Sequence, residues 1–215
     1  MDDIDDIEYH NELTKKEELT AEIWDKYFQE FIFNAYEGLA AIDPESLVSA
    51  YNMIESRLND PLYVFGNGGS AAIASHFCVD YNKGIGQDTH FKPKAFCLND
   101  NIPTITAIAN DSHYAYIFSQ QLININPDKG LVIAISSSGN SPNIVNGLAA
   151  ANKLKIPSIA FVGFDGGNVK ENRLADTIVH VPVNNYGIVE DLHMFILHAI
   201  TQRIRSSHGD SSVKL

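Results

Sequence analysis

The chain is short of cations. Only 15 Lys and Arg stand against 27 Asp and Glu in 215 residues, a net charge of −12. That balance argues against non-specific binding to nucleic acid or to anionic membranes. A small anionic ligand would have to be held by a local site against an unfavourable overall field. Cysteine is scarce too: Cys78 and Cys97 are the only two. They are too few for a disulfide framework and read as free buried thiols in a reducing compartment. No apolar run reaches the length of a membrane span. The acidic start, MDDIDDIEYH, lacks the apolar core of a signal peptide. These absences predict a cytoplasmic protein. No repeat of solenoid period is present. Hydrophobic residues, at 45%, are enough for a packed core and exclude a disordered chain.

What is present centres on Leu131–Ser141, LVIAISSSGNS. An apolar run of strand character breaks into Ser136, Ser137, Ser138 and Ser141, with Gly139 and Asn140 between. Pro142 follows, at the first turn of a helix predicted to run to about Leu154. A helix N-terminus carries unsatisfied N–H groups and partial positive charge, so it suits an anion. Serine hydroxyls add donors without bulk. Taken alone, the same residues also describe an ordinary serine-rich turn with an N-cap.

The rest of the chain gives that turn a setting. Residues 1–18 are polar and predicted to be loosely held. From Thr20 to Ala41, Ile23, Trp24, Tyr27, Phe28, Phe31, Ile32, Tyr36 and Leu39 recur at helical spacing. That stripe is wider than one sheet face covers, which points to a partner subunit. Asp43-Pro44 reads as an N-cap and first turn; Leu47, Tyr51, Ile54 and Leu58 mark the helix it opens. These helices form an extension, residues 1–60. Strands are predicted at 62–66, 95–99, 131–136, 158–163 and 177–182. Helices are predicted from Ser70 to about Asn82, near 102–109 and 113–123, from 141, near 168–174 and from about Gly187 to Arg205. Strands alternating with helices imply an α/β fold, a three-layer sandwich around a five-stranded parallel sheet. This domain is assigned to 61–206, and 207–215 to a disordered tail.

The first strand ends in GNGGSA, Gly66–Ala71. Glycines here let backbone approach a ligand closely, and Ser70 or nearby amides can donate to it. The string matches G-x-G-x-x-A, the dinucleotide fingerprint. The acidic residue that fingerprint needs is missing, since Asp100 lies too far along. No Gly-Lys-Ser/Thr follows, so it is not a Walker A loop. In a flavodoxin-like 2-1-3-4-5 sheet, strands 1 and 3 are neighbours at the switch point, and their loops meet over one crevice. The expected phosphate contacts are therefore Asn67, Gly68 and Ser70 from one loop and Ser136, Ser137, Ser138 and Ser141 from the other.

Five segments carry a resemblance: GNGGSAAIASHF (66–77), TAIANDSHY (106–114), ISSSGNSPN (135–143), GFDGGNV (163–169) and EDLHMFILH (190–198). The chain resembles the sugar isomerase (SIS) domain family, and within it the phosphoheptose isomerases, over about residues 20–205. The resemblance implies a phosphosugar ligand and a homotetramer with active sites near subunit interfaces. It also implies interconversion of sedoheptulose 7-phosphate and D-glycero-D-manno-heptose 7-phosphate. Asp111 matches a family position near the sugar. The positions of Asp80 and His198 are acid/base residues in the family, and some members bind zinc through the positions of His76, Asp80, Glu190 and His198.

The residues support that chemistry independently. Aldose–ketose interconversion moves a proton between adjacent carbons through an enediol and needs a base, an acid and a group that polarises the carbonyl. His76 and Asp80 are i, i+4 on one predicted helix; Glu190 and His198 are eight apart on another. Two imidazoles and two carboxylates make a tetrahedral set for zinc or another divalent cation. Two departures stand out. Asp80 replaces the usual glutamate and is one methylene shorter. Glu190 replaces a glutamine and adds a charge that a cation would compensate. Such changes point to a metal-dependent variant, or to one with a different substrate. The rival reading is a non-catalytic SIS module that binds a phosphosugar or another protein. His193 is expected to be a core or supporting histidine.

Overall fold

The computed structural model describes residues 19–209. The expectations for residues 1–18 and for 210–215 lie outside the described residues. The chain begins with α1 (Ala21–Ala40) and α2 (Pro44–Glu55). Thr20 caps α1, accepting from the N–H of Ile23 at 3.3 Å. Asp43 caps α2, accepting from Glu45 at 3.2 Å, with Pro44 in the first turn as its fixed φ favours.

Strands and helices then alternate: β1 (Pro61–Gly66), α3 (Gly69–Val79), α4 (Gly86–Asp88), β2 (Lys94–Cys97), α5 (Ile102–Asp111), α6 (Ser119–Ile125), β3 (Leu131–Ser136), α7 (Pro142–Leu154), β4 (Ser158–Val162), α8 (Gly167–Glu171), β5 (Thr177–His180) and α9 (Tyr186–His208). All strand pairs are parallel, in the order β2-β1-β3-β4-β5. This is the predicted sheet, with β1 and β3 paired at its switch point.

Every residue of β3 and β4 is buried, as a sheet covered on both faces requires. Alternate side chains feed two cores. Leu62, Val64, Ile133, Ile135, Phe161 and Val179 meet α2, α3 and α9. Tyr63, Phe65, Val132, Ala134, Ala160 and Val162 meet α6, α7 and α8. Because α2 buries Ala50 and Ile54 in the first of these cores, it is part of the sandwich as well as of the N-terminal extension. Cys78 and Cys97 are free and buried, as expected.

Two boundaries differ from expectation in ways that shape the site. The helix expected to reach Asn82 stops being α-helical at Asp80 and widens into a π-helical turn, Asp80–Ile85. Such a turn often marks a functional position. Asn82, within it, donates to the Ala95 carbonyl at 2.8 Å and accepts the Ala95 N–H at 2.6 Å. A side-chain amide thereby satisfies the free backbone edge of β2, the outermost strand. At the other end, α9 continues through residues 207 and 208, beyond the domain boundary that the sequence predicts. His208 Nε2 lies 2.8 Å from Glu55 Oε1, which also accepts from the Tyr51 hydroxyl at 2.6 Å. That contact holds the last turn against α2.

Candidate active site

The carboxyl ends of β1 and β3 are tied together by side-chain amides. Asn67, after β1, and Asn143, in the first turn of α7, exchange two hydrogen bonds of 2.8 Å each. The Tyr114 hydroxyl donates to Asn67 Oδ1 at 3.2 Å. Asn99, after β2, clasps the last residue of β1: Gly66 N–H donates to Asn99 Oδ1 at 3.2 Å, and Asn99 Nδ2 donates to the Gly66 carbonyl at 2.9 Å. The two loops therefore meet as the strand order predicts. Their fastening, through Asn99, Asn143 and Tyr114, was not among the expectations. Asparagine is common after strands because it forms turns, and no spacing rule announces which amide it will face.

Within GNGGS, Gly68 adopts φ +56 and ψ −124, and the space where a Cβ would stand is open. Backbone is bared to the crevice there, and a side chain would be strained. Ser70 is buried in the first turn of α3. Within SSSGNS, Ser136 Oγ accepts the N–H of Gly139 at 3.1 Å and Ser138 Oγ that of Asn140 at 3.2 Å. A hydroxyl held by an acceptor bond keeps its own proton to donate. Ser137 Oγ is buried without a partner among the described residues. Ser141 is the N-cap of α7 but makes no capping bond with its side chain. The loop thus presents several unused hydroxyl donors beside a helix N-terminus. A cavity of about 520 Å³, lined in part by Ser138, Asn140, Phe164 and Tyr186, adjoins it.

The acid–base candidates come from α3, the π-helical turn after it and α9, which packs against both. His76 Nε2 and His198 Nε2 are 3.0 Å apart. Asp80 Oδ2 lies 3.5 Å from the first and 3.2 Å from the second. All three side chains are partly exposed, so solvent and ligand reach them. Atoms bound to a tetrahedral zinc at about 2.0–2.1 Å stand about 3.3 Å from one another. The three donor atoms already have that spacing, and two imidazoles with one carboxylate are a donor set that zinc accepts.

Glu190, the fourth residue of the expected set, is not in this cluster of three. Its carboxylate lies against Gly69, where any Cβ would collide with it, at the first turn of α3. Burial, and next the neighbouring Asp191 charge, push the Glu190 carboxyl above its ordinary pKa. Asp80 does not contribute to that shift.

His193, one turn along α9 from Glu190, is fully buried and edge-on to Phe161. Burial pushes its pKa down to about 4, so it is neutral at pH 7. The Val162 backbone opposes that shift, yet the contact is too poor in geometry to count as a hydrogen bond. Asp111 ends α5 in an exposed position, accepting from Asn110 at 2.8 Å. No hydrogen bond ties it to either loop among the described residues.

The comparisons with known proteins agree with this architecture. A model of the SIS domain matches residues 38–163. The phosphoheptose isomerase of Colwellia psychrerythraea is 37% identical over 150 residues, 68% of this chain and 76% of that one. That of the Azoarcus strain BH72 is 31% identical over 188 residues, 84% and 93% of the two chains. A solved phosphoheptose isomerase from Francisella tularensis superposes with a TM-score of 0.76 at 25% identity, covering 87% of this chain and all of the other. With the family model spanning more than half of its length and relatives of this identity along most of it, the chain belongs to the SIS domain family and, within it, to the phosphoheptose isomerases.

Proposed function

We propose that the protein is a phosphosugar aldose–ketose isomerase acting on sedoheptulose 7-phosphate to give D-glycero-D-manno-heptose 7-phosphate. The observation that carries this is that α3 links two features: it starts at the loop after β1 and, about two turns on, holds His76 against His198 of α9. A hydroxyl-rich pair of loops lies at the β1 and β3 ends, and a partly exposed His76–Asp80–His198 cluster joins α3, the π-helical turn after it and α9. A binding module needs the loops alone. Isomerisation needs both.

In this reading the phosphate is held by Asn67, Gly68, Ser70, Ser136, Ser137, Ser138 and Ser141, with the α7 N-terminus offsetting its charge. Asp80 or His198 removes a proton from C1 of the ketose. The enediol forms as the C2 oxygen gains a proton. Return of a proton to C2 and loss of the O1 proton complete the aldose. The separation of 3.0 Å between the two imidazoles lets one proton be shared between them, so the cluster can act as base and then as acid. Asp111 stays a candidate for the sugar end on the resemblance alone.

His76, Asp80 and His198 are also the residues that would hold a zinc or similar divalent ion. Such an ion would polarise the sugar carbonyl. For Glu190 to complete a set of four it would have to leave Gly69.

A homotetramer, with its sites near subunit interfaces, belongs to the same proposal. In α1 the only buried residue is Gly38, while Trp24, Tyr27, Phe28, Phe33 and Tyr36 are exposed. An apolar groove of about 400 Å³, between Leu39, Leu47, Val48 and Phe195, continues that face. Apolar surface on this scale marks an interaction face. No described helix is long and apolar enough to cross a membrane; a cytoplasmic location and the lack of nucleic-acid and membrane partners remain part of the proposal. The test is conversion of sedoheptulose 7-phosphate by the purified protein, with metal content measured on the same sample.

A further inference from the structure

An asparagine amide carries an oxygen and two N–H groups whose positions look alike, and the hydrogen-bond network must say which is which. At Asn143 it does. The backbone N–H of Ile144 can only donate, and it lies 3.0 Å from one side-chain atom of Asn143, which is therefore Oδ1. Asn143 then accepts from Asn67 Nδ2 and donates its own Nδ2 to Asn67 Oδ1, each at 2.8 Å. The Asn67 amide is fixed in its turn. Its Oδ1 lies 3.2 Å from the Tyr114 hydroxyl, and that oxygen has no proton to give, so Tyr114 must donate. Polarity is handed from a backbone N–H through two amides to a phenol.

The hand-off has a consequence at the rim of the crevice. With its single proton directed at Asn67, the Tyr114 oxygen offers only lone pairs to anything else. Tyr114 is 53% exposed, in a 3-10 turn, Tyr114–Tyr116, next to the phosphate loops. The turn does not depend on the phenol for its place: Asn146 Nδ2 donates to the Ala115 carbonyl at 2.9 Å and the Ala115 N–H donates to His113 Nδ1 at 3.0 Å. Asn143 is 1% exposed and cannot itself reach a ligand.

We propose that Tyr114 is a specificity-determining residue whose oxygen accepts a hydrogen bond from a sugar hydroxyl. Asn143 is the positioning residue that, through Asn67, holds it in that acceptor state. The assignment rests on the phosphosugar reading and adds which kind of group is selected. A hydroxyl is favoured at this point, whereas a carbonyl or a phosphate oxygen, having no proton, gains nothing from Tyr114.

The test compares sedoheptulose 7-phosphate with inorganic phosphate. Tyr114→Phe keeps the ring and removes the oxygen. Its KM for the sugar phosphate should rise about fivefold, the size of a neutral hydrogen bond, with kcat within about twofold. Inhibition by inorganic phosphate should not change. Asn143→Asp puts a carboxylate against the Asn67 amide that accepts equally from either of its orientations, so the polarity that directs the Tyr114 proton to Asn67 is no longer specified. It should raise KM in the unmodified background and add nothing in the Tyr114→Phe background, the sign of one coupled unit. Should Asn143→Asp not fold, Tyr114→Phe decides alone. An unchanged KM in Tyr114→Phe, or an equal weakening of phosphate and sugar phosphate, overturns the assignment while the isomerase reading stands. An unmodified protein that neither binds nor converts the sugar phosphate removes the underlying reading and the assignment with it.

Discussion

His76 Nε2 and His198 Nε2 stand 3.0 Å apart although 122 residues separate them in sequence. Asp80 Oδ2 is within 3.5 Å of both. Side chains of this kind at the surface have no packing reason to converge. Their rings meet edge to face, centroids 5.1 Å apart, with one nitrogen of each turned toward the carboxylate. Proton transfer is the role proposed for this cluster. Asp80→Asn and His198→Ala should each lower kcat by roughly 100-fold or more, the usual worth of general acid–base catalysis. The affinity for inorganic phosphate should be retained. Steady-state rates with phosphate as a competitive inhibitor read both quantities.

The serine loop should carry the anion. Changing Ser138 and Ser141 together to Ala removes two hydroxyl donors at the α7 N-terminus. It leaves the Asn67–Asn143 pair in place. Phosphosugar affinity should fall by more than about tenfold, since hydrogen bonds to a charged group are worth about 1.5–3 kcal/mol each. Calorimetry that finds the affinity unchanged would place the phosphate elsewhere.

His193 predicts a pH dependence of stability. It is neutral when folded, with a pKa pushed down to about 4, against about 6.5 in an unfolded chain. Between these values the unfolded state binds more protons, so stability rises with pH across that window. The contribution is complete above about pH 6.5 and is lost as pH falls toward 4. Its size is on the order of 3 kcal/mol. Thermal melts from pH 7 to 4.5 should show a decline that His193→Leu flattens. Parallel curves for the two proteins would show that another group drives the decline.

Association should involve α1. Light scattering at micromolar concentration should give four times the chain mass of 23.7 kDa. Trp24→Glu with Phe28→Glu, on the exposed side of α1, should lower it. A mass of one chain for the unmodified protein would leave this face without the partner assigned to it.

Much of the framework was legible from composition and order. Apolar runs of five or six residues gave the strands, and alternation with helices gave the parallel sheet. A flavodoxin-like strand order then put GNGGS and SSSGNS on two sides of one crevice. The i, i+4 spacing put His76 and Asp80 on one face, and of the two residues expected to join them from the last helix the structure brings His198. What sequence withheld are features decided by three-dimensional partners. The π-helical turn starts at Asp80, where Asn82 finds the bare edge of β2. Asn99 and Asn143 read as turn formers until their backbone and amide partners are in place. Glu190 is spaced to share a face with His198, yet eight residues are about 12 Å of helix, and its carboxylate comes to lie beside Gly69, where glycine leaves room for it. Residue spacing fixes a helix face, and the packing of the neighbouring helix decides where a long side chain ends.

The most direct measurement is magnetic resonance of sedoheptulose 7-phosphate incubated with the purified protein in deuterated water. The product should be the aldose 7-phosphate, carrying solvent deuterium at C2 because the proton passes through side chains that exchange with water. Asp80→Asn, folded and still binding phosphate, should form almost none. A folded, phosphate-binding protein that leaves the ketose unchanged and its C1 protons unexchanged would contradict the central claim.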